Sequence, residues 1–192
     1  MLDDETWLFL HEVRLRGVVD NGDDVVMLHL VERGLVVQSA RGVHVTTAGR
    51  AAHADWARLA PRSDDEAAVR RTYERFLPLN RELIHICNDW QVRPGGVPND
   101  HRDPQYDWSV IDRLHALHDR AVPMINRVGR VHSRFAGYAP RLRSALGRID
   151  DGDHEWITSP RCDSYHTVWM QLHEDVLLAL GVERSSEDDA TP

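Results

Sequence analysis

The strongest constraint on the fold lies near the C-terminus, where apolar residues recur with the period of a helix. Placed at 100° per residue, Tyr165, His166, Trp169, Leu172, His173, Val176, Leu177 and Leu180 fall within one arc of about 140°. A helix with such a stripe has to bury it against other helices. Two histidines seven residues apart sit inside the stripe and turn inward with it. The same test on residues 108–121 puts His118 beside Ile111, Leu114 and Ala121. A long helix after Ser63, a good N-cap residue, carries Val69, Tyr73, Phe76, Leu83 and Cys87 on one stripe, with Asn80 between Tyr73 and Cys87. Helices are expected over 64–88, 108–121, 123–132 with Pro123 in the first turn, 138–149 and 163–181. The chain from 64 to 182 therefore reads as an all-α domain, and the acidic stretch 183–192 as a disordered tail.

Before the Pro61-Arg62-Ser63-Asp64-Asp65 linker the pattern changes. A first helix carries Trp7, Leu8, Leu10, Val13 and Leu15 and breaks at Gly17. A second is expected from Asp23 to Arg33, its acidic start suiting the helix dipole and Gly34 its stop. Leu35-Val36-Val37 and Val43-His44-Val45 read as two short strands joined by a turn, and Thr46-Thr47-Ala48-Gly49-Arg50 leads into a helix to about Leu59. This order is that of a winged helix, so residues 1–60 form a small winged-helix-like segment in front of the helical domain. The fold class is mainly α.

Composition narrows the chemistry. Hydrophobic residues make up 42% of the chain and charged residues 28%, which favours a packed core over bulk disorder. All 23 basic residues are arginine, so lysine Schiff-base, lysine-linked pyridoxal phosphate and Walker-lysine chemistries are excluded. A net charge of -8 argues against non-specific affinity for phosphate backbones. No apolar run approaches the roughly 18 residues needed to span a bilayer, the first residues are acidic rather than basic, and Cys87 and Cys162 are too few for a disulfide framework. A cytoplasmic protein without a membrane partner is expected.

Several segments together resemble a family of actinobacterial MarR-like, winged-helix transcriptional regulators. They are Gly34-Leu35-Val36 and Thr47-Ala48-Gly49-Arg50 in the first part. In the second they are Asn88-Asp89-Trp90, Asn99-Asp100-His101 with Asp103-Pro104, Phe135-Ala136-Gly137-Tyr138, Asp163 to Trp169, and Leu172-His173-Glu174-Asp175. The resemblance implies a DNA-binding head on a helical domain. The head departs from the pattern in one respect: only residues 18–22 separate the first helix from the second, leaving no room for the supporting helix of a helix-turn-helix. The second helix offers Asp23, Asp24, His29, Glu32 and Arg33, whereas major-groove readers favour Arg, Lys, Asn or Gln. Arg33, Arg41 and Arg50 are the candidate DNA contacts, and at phosphates they would give position rather than specificity.

Candidate chemistry concentrates in the helical domain. His118, His166, His173 and Tyr165 are the candidate catalytic groups. With Asn80, Asp100, His101 and Trp169 they make the candidate ligand-binding set. Three readings stay open for the inward histidines: packing residues satisfied by carboxylates or carbonyls, the polar floor of a small-molecule pocket, or a haem or metal centre. Imidazoles seven residues apart lie about 10 Å apart along a helix, and no His-Glu-x-x-His or Cys-x-x-Cys spacing occurs. No metal ligand set or cofactor is therefore assigned. Residues 89–107 read as a long Pro/Gly/Asp-rich loop, either a connector with Asx-turns at Asn99 and Asp100 or a cover over the bundle mouth. In the second case Asp100 would orient the His101 imidazole for ligand capture or acid–base work. Cys87 reads as inert core.

Two functions follow. The first is a MarR-like, ligand-responsive transcriptional regulator, intact or degenerate, with a small-molecule ligand, DNA as a partner of its head, and room for a homodimer. The alternative is an enzyme or small-molecule-binding protein, biosynthetic, acid–base or haem- or metal-assisted, that uses a His-lined pocket of the helical domain.

Overall fold

The computed structural model describes residues 2–20 and 25–183. It is mainly α, with two small antiparallel two-stranded sheets. The backbone divides into two compact units, one drawn from the described residues of Met1–Pro61 and His173–Pro192, the other being Arg62–Leu172.

In the first unit, α1 (Asp4–Arg16) is capped by the Asp3 carboxylate on the Thr6 amide and ends at Gly17. Helix α2 (Val25–Glu32) follows, then strands β1 (Val36–Ser39) and β2 (Gly42–Val45), paired Val36 to Val45 and Ser39 to Gly42. A bridge from Val19 to Val43 adds one further residue to the edge of that hairpin. The expected acidic start of α2 at Asp23 and Asp24 lies outside the described residues, as does the tail beyond Glu183. Leu10, Val13, Met27, Leu30, Val36, Val43 and Val45 form the core of this unit. Helix α3 (Thr47–Ala57) closes it, and the reason for its Thr-Thr-Ala-Gly start is visible. Thr46 Oγ1 accepts from the Gly49 amide and donates to the Gly34 carbonyl. A Cβ at Gly49 would lie 2.0 Å from the Leu35 carbonyl oxygen, so only glycine lets the helix come this close to the strand.

The second unit is built on two 28-residue helices packed on each other, α4 (Asp64–Gln91) and α5 (Pro104–Val131). Ser63 caps α4 as expected, its Oγ accepting from the Glu66 amide. The buried residues Val69, Phe76, Leu83 and Trp90 of α4, and Val110, Leu114, Leu117, Ala121, Ile125 and Val128 of α5, repeat at the spacing of helix–helix seams. Helix α6 (Tyr138–Asp150) and short 3-10 turns at Ser133–Phe135 and His154–Trp156 complete the unit, with the first half of α7 (Tyr165–Leu180).

Three expectations need correction. Residues 108–132 do not form two helices broken at Pro123: α5 runs through it. Proline has a helical φ and sacrifices only one backbone hydrogen bond, which a well-packed stripe on both sides outweighs. Residues 89–107 are not a structureless loop. Helix α4 continues to Gln91, β3 (Val92–Arg93) and β4 (Val97–Pro98) form a hairpin, and α5 starts at Pro104 behind an Asp103 cap. Gly95 and Gly96, at φ 93° and 80°, supply the left-handed residues of that turn. Finally, the stretch from His173 onward, assigned by its pattern to the later domain, groups with the first unit. Arg14 holds Glu174 at 2.7 Å, and the Leu59 amide donates to the Ala179 carbonyl.

Candidate active site

The sequence-derived candidates separate into distinct environments. Asn80, His118, Tyr165 and Trp169 come together in the core of the second unit. Trp169 Nε1 donates to Asn80 Oδ1 at 3.0 Å, and its indole stacks on Phe76 with centroids 4.7 Å apart. Tyr165 stacks on the other neighbour, Trp169, and its hydroxyl meets His118 Nδ1 at 3.3 Å. Burial pushes the Tyr165 phenol far above its ordinary range and pulls the His118 imidazole below its own. A neutral phenol then donates to a neutral imidazole. Every polar atom named here has a protein partner, and the clefts of this unit described below are lined by other residues. His166 is half-buried, with its pKa also lowered by burial. His173 is buried within the first unit, so the three histidines do not lie in one domain.

Asp100 and His101 do not pair. Asp100 is exposed, and its Oδ1 accepts from the Arg102 amide, an Asx-turn as expected. Asn99 makes the second such turn, accepting from the His101 amide at 3.3 Å. His101 instead binds Asp107, one turn into α5: His101 Nδ1 lies 3.1 Å from Asp107 Oδ2. Asp107 is itself 6% exposed, and its Oδ1 accepts from Asn99 Nδ2 at 2.7 Å. Asn99 is anchored in turn, its Nδ2 donating to the Trp90 carbonyl and its amide to the Gln91 carbonyl. The α5 start is held by Arg93, which pairs with Asp103 at 2.6 Å and lies over the Tyr106 ring. The Arg93 guanidinium holds the Asp103 carboxyl below the usual carboxylate range. Tyr106 closes the frame by donating its hydroxyl to the Asp89 carbonyl.

The result is a carboxylate–imidazole dyad with one face open. The His101 ring packs on Trp90 at 4.4 Å, while its side chain remains 43% exposed. His101 also adopts φ 56°, a left-handed conformation that costs a residue with a Cβ about 1–2 kcal/mol. Both His101 and Trp90 line a cleft of about 690 Å³ with His154, Glu155, Thr158, Ser159 and Arg161. His154 sits edge-on to Trp90 and Trp108, and its buried Nε2 has no hydrogen-bond partner. A carboxylate that accepts a hydrogen bond from Nδ1–H fixes the tautomer and leaves Nε2 as the basic atom. Of this site, sequence reasoning picked out His101, read Asn99 only as an Asx-turn residue, and missed Asp107, Trp90 and His154 as its partners. Asp107 sits four residues after Asp103, one turn into the helix that Asp103-Pro104 begins, and that spacing was the available signal.

A second buried constellation, in the first unit, was also missed. His11 Nδ1 and His53 Nε2 share a hydrogen bond of 2.9 Å, and His11 Nε2 lies 3.2 Å from Asp175 Oδ2. Trp56 packs against both imidazoles. His53 follows Gly49 and precedes Ala57 by four residues each, on the buried face of α3, so its inward direction was readable. All three groups are buried, so this chain fixes packing rather than meeting a ligand. Among the described residues, no group of three or more His, Cys, Asp or Glu side chains is placed to hold a metal ion.

The candidate DNA contacts are exposed in the first unit. Arg33 Nε donates to His29 Nε2 at 2.6 Å, and Arg41 sits in the β1–β2 turn, its amide on Ser39 Oγ. Arg50 lies in the first turn of α3. Among the described residues, no helix is long and apolar enough to cross a membrane. No family model, curated protein or solved structure matches this chain.

Proposed function

We propose that the protein performs general acid–base chemistry on a small polar molecule held in the Trp90–His101–His154 cleft. His101 Nε2 takes a proton from a bound hydroxyl or water, and Asp107 holds the ring and balances the imidazolium that forms. The observation that carries this reading is the buried Asp107 carboxylate on Nδ1 of an imidazole whose other edge faces a cleft. Such dyads contribute typically ~10²–10⁴-fold to rate. Arg161 supplies the cleft with a cation for an anionic substituent, and the Trp90 indole supplies an apolar wall. The strained backbone at His101 agrees with a residue held for chemistry rather than for folding.

Diethyl pyrocarbonate tests the reading without a known substrate, because it acylates the free nitrogen of neutral imidazoles. Peptide mass spectrometry should find His101 modified faster than the half-exposed His29 and His44, with the rate falling at least tenfold in Asp107→Asn. Equal reactivity of His101 and His44, unchanged by Asp107→Asn, would remove the basis for the proposal.

A second reading, a DNA-binding regulator, is favoured by the hairpin wing with its exposed Arg41 and by the Val19–Val43 bridge. Against it, the exposed apolar residues of α2, Val25 and Leu28, are poor base readers. Fluorescence anisotropy with the chain's own promoter fragment decides between them. Binding that weakens with salt and with Arg41→Gln supports the regulator; no binding at low salt rules it out.

A further inference from the structure

A groove along the α4–α5 pair has features of a ligand site separate from the dyad cleft. Its volume is about 520 Å³, which matches pockets that bury one small molecule, roughly 300–1,000 Å³. The floor is apolar, from Leu79, Met124 and Val128, of which Val128 is fully buried. Pro78 and Pro123, the prolines inside the two long helices, both line it. Proline removes an intrahelical hydrogen bond, so each helix gives up one backbone bond beside the groove while running on as a regular helix.

The rim is cationic. Arg71 and Arg75, one turn apart on α4, and Arg120 and Arg127 on α5 surround the groove, with Glu82 as the acidic side chain of the lining. Glu82 is taken by Arg120. Arg71, Arg75 and Arg127 have no ion pair among the described residues, and all three are exposed. On a chain of net charge -8 this local excess of three positive charges runs against the overall balance. An apolar trough beneath unpaired guanidinium groups is complementary to a molecule with one alkyl chain and one planar anionic head.

We infer that the groove binds a single-chain amphipathic carboxylate, its alkyl chain on the Leu79, Met124 and Val128 floor and its head among Arg71, Arg75 and Arg127. A second copy of the chain fits less well, because a twofold arrangement would set these arginines against one another. The inference stands independently of the chemistry at His101.

Isothermal calorimetry on the full chain tests it with decanoate, decanol and inorganic phosphate as probes. Decanoate should bind once per chain, with decanol and phosphate each at least tenfold weaker. Raising the salt should weaken decanoate but not decanol. Arg71→Gln with Arg127→Gln should lower decanoate affinity at least tenfold with an unchanged melting temperature, since both side chains are exposed. Ala68 also lines the groove, and Ala68→Trp, which puts an indole into it, should give the same loss from the apolar side. Equal binding of decanoate and decanol, binding of phosphate as tight as decanoate, or full affinity in the double variant would overturn the inference. So would a concentration-dependent dimer that Met124→Glu dissociates, which would assign the groove to a second copy.

Discussion

Replacing Tyr165 by phenylalanine deletes one buried oxygen and leaves the ring, and with it the stack on Trp169, in place. The hydroxyl donates to His118 Nδ1 over 3.3 Å, and both residues are buried. Its loss leaves the imidazole nitrogen without a donor, which costs about 1–3 kcal/mol. The bond is long, so the lower half of that range applies. For a chain of this length each kcal/mol lowers Tm by roughly 2–4 °C, and the expected drop at pH 7.5 is about 2–8 °C. The pH dependence is the sharper test. Burial is the main cause of the lowered His118 pKa, with the Asp119 charge opposing it and His115 and Arg143 adding to it. The unfolded chain therefore binds this proton first as pH falls below about 6.5. Native stability is complete above that pH and declines by up to about 1.4 kcal/mol per pH unit until the folded-state pKa is passed. The Tyr165 hydroxyl donates only to the neutral ring, so removing it makes His118 easier to protonate in the folded state. The destabilisation should then be largest at pH 7.5 and shrink by pH 5. Urea titrations followed by tryptophan fluorescence at both pH values measure it directly. A loss that is equal at pH 5 and pH 7.5, or no loss at all, would refute the argument that a neutral phenol–imidazole pair sits in this core.

Gly49→Ala should destabilise the first unit by about 3 kcal/mol or more in a thermal melt, because the new Cβ has no space beside the Leu35 carbonyl and overpacking against backbone does not relax. Thr46→Ala should cost about 1 kcal/mol through loss of the helix cap, measured the same way. Asp175→Ala should cost about 1–3 kcal/mol in urea, since it removes a carboxylate from the buried His11 ring. Cys87, whose thiol burial pushes up to about 12, should resist iodoacetamide at pH 8 in the native state, while half-exposed Cys162 is alkylated first.

The periodicity of the chain was enough to establish the helices and their inward faces. Val69, Phe76 and Leu83 on α4, and Ile111, Leu114, His118 and Ala121 on α5, are buried where a 3.6-residue repeat puts them. The capping role of Ser63, the hairpin between Val36 and Val45, and the Asx-turns at Asn99 and Asp100 were legible too, because each depends on residues only a few positions apart. Local rules also misled at Pro123, where packing on both sides of a proline outweighed one lost hydrogen bond. Partnerships between distant residues were beyond their reach. The choice of Asp107 over Asp100 for His101 depends on a hairpin and a helix start that swing one carboxylate inward and leave the other in water. The junction of His11, His53 and Asp175 joins positions 42 and 164 residues apart, and the grouping of His173 with the first unit depends on contacts of the same kind. A sequence states which way a side chain faces on its own helix; what it faces is set by how helices pack, and only the tertiary structure decides that.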